Sequence, residues 1–313
     1  MQADPRFRGQ GISFWAYVRT ITEALGSSVP RSGVISAFSI GDMQRALTKL
    51  ERAIEPLGTP AHPSPLGAVL LDYFEYRADV LNNKVRHDLL VTEQAAELFD
   101  RVVNVTGAVV DSTSSRRLKT EAGYVEEPTS VNYRVGNSIV PVPMNKQKGL
   151  MRQPSFLTGI VNLVIARELE GRPCDYDPRR LPVIDHDGTL YAAMSRRMDG
   201  SMPSTVNPLA MWEIKEYYYT TTFGSKISDA VYITALDGYE RAEIEQTTQN
   251  NIEHLIIVDA FDTWWTKGKS YLCRMVDLVN MGKVDHLICG RETVEELPRL
   301  AQGWAARYDQ LSY

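Results

Sequence analysis

Apolar residues recur at helical spacing through the first third of the chain. In the segment 12–25, Phe14, Val18 and Ile21 lie three or four residues apart, as on the buried face of an amphipathic helix. The same spacing continues in three further segments, which cover residues 41–54, 67–90 and 93–105. The pattern therefore predicts a mainly helical N-terminal region over residues 1–110.

Two local features refine this helical pattern. Asp42 stands at the start of the second segment, where an acidic side chain can serve as an N-cap. The third segment is long, and its Asn82-Asn83 pair predicts an interruption, because Asn is a weak helix former.

Helical periodicity fades between residues 107 and 150, where polar turn residues accumulate. The stretch 112–130 reads STSSRRLKTEAGYVEEPTS, and short β-like pieces such as VNYRV follow it. Clusters of Ser, Thr, Gly and Pro are typical of loops. We expect residues 111–150 to form a linker or an inserted loop.

After residue 150, runs typical of strands alternate with helical segments. A helix is predicted over 154–171, followed by two strand-like segments, TLYAAMSR and LAMWEIKEYY. The strands HLIIVDAF and HLICG then alternate with helices near 263–282 and 291–306. This alternation is typical of a sheet that is at least partly parallel. The predicted fold class is α/β (α+β), with the sheet in residues 151–313.

Composition narrows the possible classes of protein. Hydrophobic residues make up 43% and charged residues 23% of the 313 residues, which indicates an ordinary globular chain. No run reaches the roughly 18 apolar residues of a membrane span, and no secretory signal is visible, so we expect a cytoplasmic protein. The three cysteines are widely spaced and predict neither a disulfide framework nor a zinc site. The formal net charge of -5 means that nucleic-acid binding would need a local basic patch.

The segment SRRMDGSMPSTVNPLAMWEIKEYY (195–218) is the part of the chain richest in candidate chemistry. Residues two apart on a strand share a face, so Glu213 and Lys215 are expected to project together from the apolar strand. Asp199 is expected at the end of the preceding strand, and a hairpin-like return would bring it beside Glu213. This arrangement predicts two carboxylates and one ammonium group in a single site.

Two adjacent carboxylates repel each other and form a natural site for a hard cation such as Mg²⁺. Such an ion lowers the pKa of bound water and stabilises negative charge on a phosphate, while Lys215 would orient the attacking water. We therefore expect Asp199 and Glu213 to bind the metal. All three side chains should converge in one solvent-accessible cleft that is bordered by basic residues.

Asp199-Gly200 followed by Glu213-Ile214-Lys215 resembles the motif of the PD-(D/E)XK nuclease superfamily. Met198 stands where the superfamily motif has proline. The resemblance covers about residues 150–290 and includes a helix before the hairpin and a helix and strand after it. It implies a restriction-endonuclease-like mixed central sheet flanked by helices, with the catalytic domain in residues 151–313.

The resemblance also implies an activity and partners. The expected protein is a Mg²⁺-dependent DNA endonuclease, with Mn²⁺ as a possible substitute, of the type II restriction or a related phage-defence class. Its substrate would be double-stranded DNA, and a homodimer is expected because a two-fold pair suits a palindromic site. The helix before the hairpin often supplies a further acidic residue, and Glu168 is favoured here over Glu170.

Several basic residues near the proposed site are candidates for DNA-backbone contacts. Arg196, Arg197 and Lys226 are close to it in sequence, and Arg152 lies further away. Each of them alone is more often a solvated surface charge. Base recognition could come from the helical N-terminal region or from residues 112–150.

Other interpretations of these motifs remain open at this point. VIDHDGTLY (183–191) resembles the first motif of haloacid-dehalogenase-like phosphatases, with Asp185 as nucleophile and Asp187 as acid and base. The same residues can form an Asp-Gly hairpin turn between two strands. Glu213 and Lys215 can form a surface salt bridge on a strand, and a non-catalytic DNA-binding protein is a further alternative.

Overall fold

The computed structural model describes residues 1–29, 33–50, 56–120, 123–219 and 225–311. Helices dominate the first third of the chain, and a mixed sheet with helices on both faces follows. The prediction of a mixed α/β (α+β) fold class is confirmed. No helix within these residues is both long and apolar enough to span a membrane.

The first third of the chain is helical, as predicted. Its elements are α1 (Pro5–Arg8), α2 (Ile12–Leu25), α3 (Ile40–Thr48), α4 (Pro65–Val80), a π-helical turn (Leu81–Val85), α5 (Arg86–Asp88) and α6 (Thr92–Val105). The π-helical turn includes Asn82 and Asn83, where the interruption was expected. Asp42 is not the N-cap of α3: Ser39 is, and the two side chains form a capping box.

The buried side of these helices is largely aromatic. Phe14, Val18 and Ile21 of α2 are buried, as their spacing predicts. They pack against Tyr73 and Phe74 of α4. Edge-on contacts between these rings stabilise this local core.

A three-stranded antiparallel sheet follows the helices. Its strands are β1 (Val109–Thr120), β2 (Gly123–Val135) and β3 (Ser138–Pro143), in the order β1-β2-β3. The prediction of a linker or inserted loop over 111–150 therefore missed two long strands. They lack the alternating apolar face on which strand prediction depends, and only their base, around Tyr133 and Val140, joins the main core.

The rest of the chain builds a five-stranded mixed sheet and its helices. The elements in chain order are α7 (Phe156–Leu169), β4 (Asp175–Tyr176), β5 (Val183–His186), β6 (Thr189–Ala193), β7 (Gly200–Met202), β8 (Ala210–Lys215), α8 (Ser225–Thr248), β9 (Glu253–Val258), a π-helical turn (Asp262–Lys267), α9 (Lys269–Asn280), β10 (His286–Cys289) and α10 (Thr293–Leu311). The strand order is β10-β9-β8-β7-β4. β8, β9 and β10 are parallel, and β7 and β4 are antiparallel additions at one edge.

The two faces of this sheet pack against different helices. Trp212 and Leu255 belong to a core shared with α7 and α10, whereas Ile256 belongs to a core shared with α8 and α9. Glu213 pairs in register with Ile256, and side chains alternate along a strand. Glu213 and Lys215 therefore lie on the side of the sheet that α8 and α9 cover.

Candidate active site

Asp199 lies beside the end of β8 because β7 and β8 are antiparallel. Gly200, the first residue of β7, pairs with Trp212 in the middle of β8. The Asp199 Oδ2 atom accepts a hydrogen bond of 2.7 Å from the backbone N–H of Ile214. Asp199 thus lies just before β7, whereas the sequence predicted it at the end of the strand that precedes β8. Its carboxylate is nevertheless close to Glu213.

Gly200 has a steric role in this arrangement. A Cβ atom at this position would lie 2.1 Å from Cε2 of the Trp212 ring. Trp212 is fully buried and stacks on Trp304 of α10, with ring centroids 5.7 Å apart. Glycine, which has no Cβ, is therefore the residue type that lets β7 pass over this indole ring. In the Asp199-Gly200 pair, the carboxylate stands directly before that glycine.

Glu213 is held between two cations. Its Oε1 atom accepts a hydrogen bond of 2.6 Å from Lys215 Nζ. Its Oε2 atom lies 2.6 Å from Arg196 Nη2, in an ion pair that lacks the alignment of a hydrogen bond. Glu213 and Lys215 thus meet, as their spacing predicts. Their side chains are only 10% and 9% exposed, so they do not lie in the solvent-accessible cleft that we expected. Arg196 lies against Glu213, and its own side chain is 25% exposed.

Asp237 is a third acidic residue at the site, and it was missed at the sequence level. It lies on α8, its side chain is fully buried, and its Oδ1 atom is 3.1 Å from Arg196 Nε. It belongs to a stripe at helical spacing that includes the buried residues Ile227, Ala230 and Thr234. A carboxylate in such a stripe is the signal that could have identified it.

Burial and mutual repulsion make two of the carboxylates weak acids. Burial, together with the charge of Glu213, raises the pKa of Asp199 to about 7, against the hydrogen bond from Ile214. Burial also raises the pKa of Asp237 to about 6, although Arg196 opposes that shift. Carboxylates in this state gain most from an added positive charge, as a divalent cation would supply.

Asp199 and Glu213 are the residues of this cluster that could hold a divalent cation. Asp199 uses only Oδ2 in a hydrogen bond to the described residues, and Glu213 Oε2 is buried without one. Mg²⁺ is commonly bound by one or two carboxylates, with waters and substrate phosphate completing its shell. No cluster of three or more His, Cys, Asp or Glu side chains suited to a metal occurs in the part of the chain that the structure describes.

Glu168 lies away from this cluster. It is near the end of α7, the helix that covers the opposite face of the sheet with Trp212. Its Oε1 atom accepts a 2.6 Å hydrogen bond from Arg167, and its Oε2 atom accepts one of 2.6 Å from Gln302 on α10. Glu168 thus joins two helices, and the structure does not bring it to the proposed catalytic residues.

The predicted DNA-contact residues differ in their environments. Arg197 and Lys226 are exposed and close in sequence to the site. The guanidinium of Arg196 instead forms ion pairs with Glu213 and Asp237. Arg152 is mostly buried, and its Nη2 atom donates a 2.5 Å hydrogen bond to Pro128 O in β2. Of the four candidates, only Arg197 and Lys226 present a free cationic group to solvent among the described residues.

The segment with the phosphatase-like motif forms a hairpin. β5 and β6 pair as a separate two-stranded sheet, with His186 opposite Thr189. Asp187 and Gly188 between them have φ of 53° and 79°, which matches a type I′ turn. Asp185 Oδ1 accepts a hydrogen bond from the Gly188 backbone N–H at 2.9 Å. This geometry favours the turn interpretation of the motif.

Comparison with known proteins identifies two family models. Residues 1–84 match a model described as Domain of unknown function (DUF7690), and residues 91–304 match one described as Domain of unknown function (DUF7687). No curated protein and no solved structure matches the chain. The second model spans more than half of the chain, including the whole five-stranded sheet and the cluster around Glu213. This protein belongs to the DUF7687 family.

Proposed function

We propose that this chain is a Mg²⁺-dependent DNA endonuclease related to the PD-(D/E)XK superfamily. The observation that carries the proposal is the meeting of Asp199, Glu213 and Lys215 at one end of the β7–β8 pair. Asp199 is bound to the backbone beside Glu213, and Glu213 is 2.6 Å from Lys215 Nζ. Two carboxylates and a lysine in this relation are the parts that metal-assisted phosphodiester hydrolysis requires.

The order of elements around the cluster supports the same proposal. Helix α7 precedes the antiparallel β7–β8 pair, and helix α8 and the parallel strand β9 follow it. This is the order that the resemblance implies for a restriction-endonuclease-like core, with a helix before the hairpin and a helix and strand after it.

Each residue has a defined role in the proposed reaction. Asp199 and Glu213 would hold the metal, and a bound Mg²⁺ would polarise the scissile phosphate and activate a water molecule. Lys215 would orient that water and offset the charge that develops on the phosphate oxygens. Arg196 would leave Glu213 when the metal binds and contact the phosphate backbone, with buried Asp237 as its anchor.

Partners and biological role follow from this proposal. Exposed Arg197 and Lys226 would contact the phosphates of double-stranded DNA beside the site. A homodimer would allow both strands of a palindromic site to be cut. Type II restriction, or a related defence against phage DNA, is the role that the resemblance suggests.

A structural ion-pair network is the main competing explanation. Arg196, Lys215, Glu213 and Asp237 contact one another, and such a network can exist without catalysis. Buried ion pairs, however, often add little stability over apolar residues of similar volume. Burial and the charge of Glu213 raise the pKa of Asp199 beside this network, and a bound cation would favour its charged form.

Cleavage of plasmid DNA tests the proposed function. Purified protein with Mg²⁺ should convert supercoiled plasmid to nicked and linear forms, and EDTA should stop the reaction. Asp199→Asn and Glu213→Gln should each abolish it, whereas Asp185→Asn should cut like the wild type. Absence of cleavage with a range of unmodified DNA sequences, or hydrolysis of a phosphate monoester that depends on Asp185, would overturn the proposal.

A further inference from the structure

The β1–β2 hairpin extends well beyond the sheet to which it belongs. β3 pairs with β2 only as far as Ser130 opposite Pro143. Beyond that point β1 and β2 continue as a two-stranded ribbon to the pair Thr120 and Gly123. At about 3.4 Å per residue, the seven residues of β1 from Ser114 onward make a projection on the order of 20 Å long.

The ribbon has no core of its own. Every residue from 109 to 117 is exposed, and so are residues 123 to 126. Tyr124 is 60% and Val125 is 48% exposed, although they lie on opposite faces of the ribbon. An isolated two-stranded ribbon is only marginally stable in water, so a partner surface would explain why this one is so long.

The base of the ribbon is linked by hydrogen bonds to the loop that follows β8. Arg152 binds the Pro128 carbonyl oxygen in β2 and also donates to the carbonyl oxygen of Gln147. The Gln147 side chain in turn donates to the carbonyl oxygen of Tyr219, four residues after Lys215. Arg152 therefore connects the ribbon, through Gln147, to the loop after β8. This residue, which the sequence predicted to contact DNA, instead has a positioning role.

The ribbon carries groups suited to a nucleic acid. Ion pairs within the described residues occupy Arg116 and Arg134 but neither Arg117 nor Lys119. Arg117 lies over the Tyr124 ring, 4.3 Å from its centroid, which orients the guanidinium without neutralising it. Hydroxyl side chains cover the base of β1, from Ser112 to Ser115. These groups can donate to phosphate oxygens and to base edges.

We propose that this ribbon enters the major groove of double-stranded DNA that is bound at the candidate active site. The major groove is about 12 Å wide and admits a two-stranded β-ribbon. The inference rests on the proposed nuclease function, since it places the ribbon on the DNA that the site would cut. It also assigns the contacts to base edges to the described ribbon residues, 112–120 and 123–132, which lie within the segment 112–150 that the sequence leaves open.

A second copy of the chain is a less suitable binding partner for the ribbon than DNA. The free edge of β1 has register shifts between Val110 and Ser112 and between Ser114 and Ser115. Such bulges, together with exposed charges, discourage pairing between edge strands.

DNA affinity without cleavage tests the ribbon directly. Arg117→Ala/Lys119→Ala protein is titrated with fluorescent duplex DNA in Ca²⁺, and the dependence of affinity on salt is measured. Loss of two phosphate contacts should raise Kd by roughly tenfold and lower the salt slope by about 2. A matched double variant of two exposed cations elsewhere, Lys49→Ala/Arg101→Ala, should change Kd far less. Circular dichroism of both variants should match the wild type.

The outcomes separate this inference from the proposed function. Wild-type binding and cleavage, with ribbon and control variants that bind equally well, would overturn the ribbon proposal alone. Failure of the wild type to bind DNA would overturn both proposals. Conversion of a wild-type dimer to a monomer by the ribbon variant, seen by light scattering with unchanged DNA affinity per chain, would assign the ribbon to dimerisation instead.

Discussion

Lys215→Ala is expected to reduce DNA cleavage by at least about 10²-fold, the usual effect of removing one group that stabilises transition-state charge. DNA affinity should stay close to that of the wild type, because Lys215 is buried beside Glu213 and has little surface to offer a duplex. Single-turnover cleavage rates in Mg²⁺ and binding titrations in Ca²⁺ measure the two properties separately.

Lys226→Ala provides the matched comparison for Lys215. Lys226 is an exposed lysine close in sequence to the site, so its loss should lower DNA affinity and reduce the dependence of that affinity on salt. The cleavage rate at saturating DNA should fall much less than for Lys215→Ala. Equal cleavage rates for Lys215→Ala and the wild type would remove Lys215 from the proposed mechanism and leave the structural ion pair as its explanation.

Gly200→Ala is expected to lower the free energy of unfolding by about 2–4 kcal/mol, at the high end for overpacking, and to abolish cleavage. The added methyl group would meet the Trp212 ring at 2.1 Å, and the ring cannot yield easily because it is stacked on Trp304. The strain would displace β7 and with it Asp199. Urea unfolding and plasmid cleavage measure the two effects.

A glycine in open space gives the control for this substitution. No atom outside the local helix backbone lies within 4 Å of a Cβ added at Gly303 in α10. Gly303→Ala should raise stability by up to about 1 kcal/mol, because alanine is the better helix former. A Gly200→Ala protein with wild-type stability and activity would show that the close approach of β7 to Trp212 does not control the site.

The part of the site that the sequence predicted depends on local geometry. Strand alternation is enough to put Glu213 and Lys215 on one face, and a hairpin-like return is enough to bring Asp199 near them. The relation of Arg196 to Asp237 spans 41 residues and depends on how α8 packs on the sheet. No local pattern reveals that Arg196 faces inward to a carboxylate rather than outward to DNA.

The sheet of residues 109–143 shows a second limit of sequence interpretation. Its ribbon is held by cross-strand pairs such as Arg116 with Glu127, and both of its faces are exposed. Alternation between apolar and polar residues is therefore absent, and a loop was the natural expectation. The position of Glu168 could not be predicted for a related reason. Helical spacing does not reveal which face of the sheet a helix will cover.

Titration of the metal-free protein with Mn²⁺, followed by electron paramagnetic resonance of the free ion, tests most directly whether Asp199 and Glu213 form a metal site. The account predicts saturable binding to the wild type and to Asp185→Asn, and loss of that binding in Asp199→Asn/Glu213→Gln, with all three proteins folded. Equal binding by the wild type and the double variant, or no binding by the wild type, would contradict it.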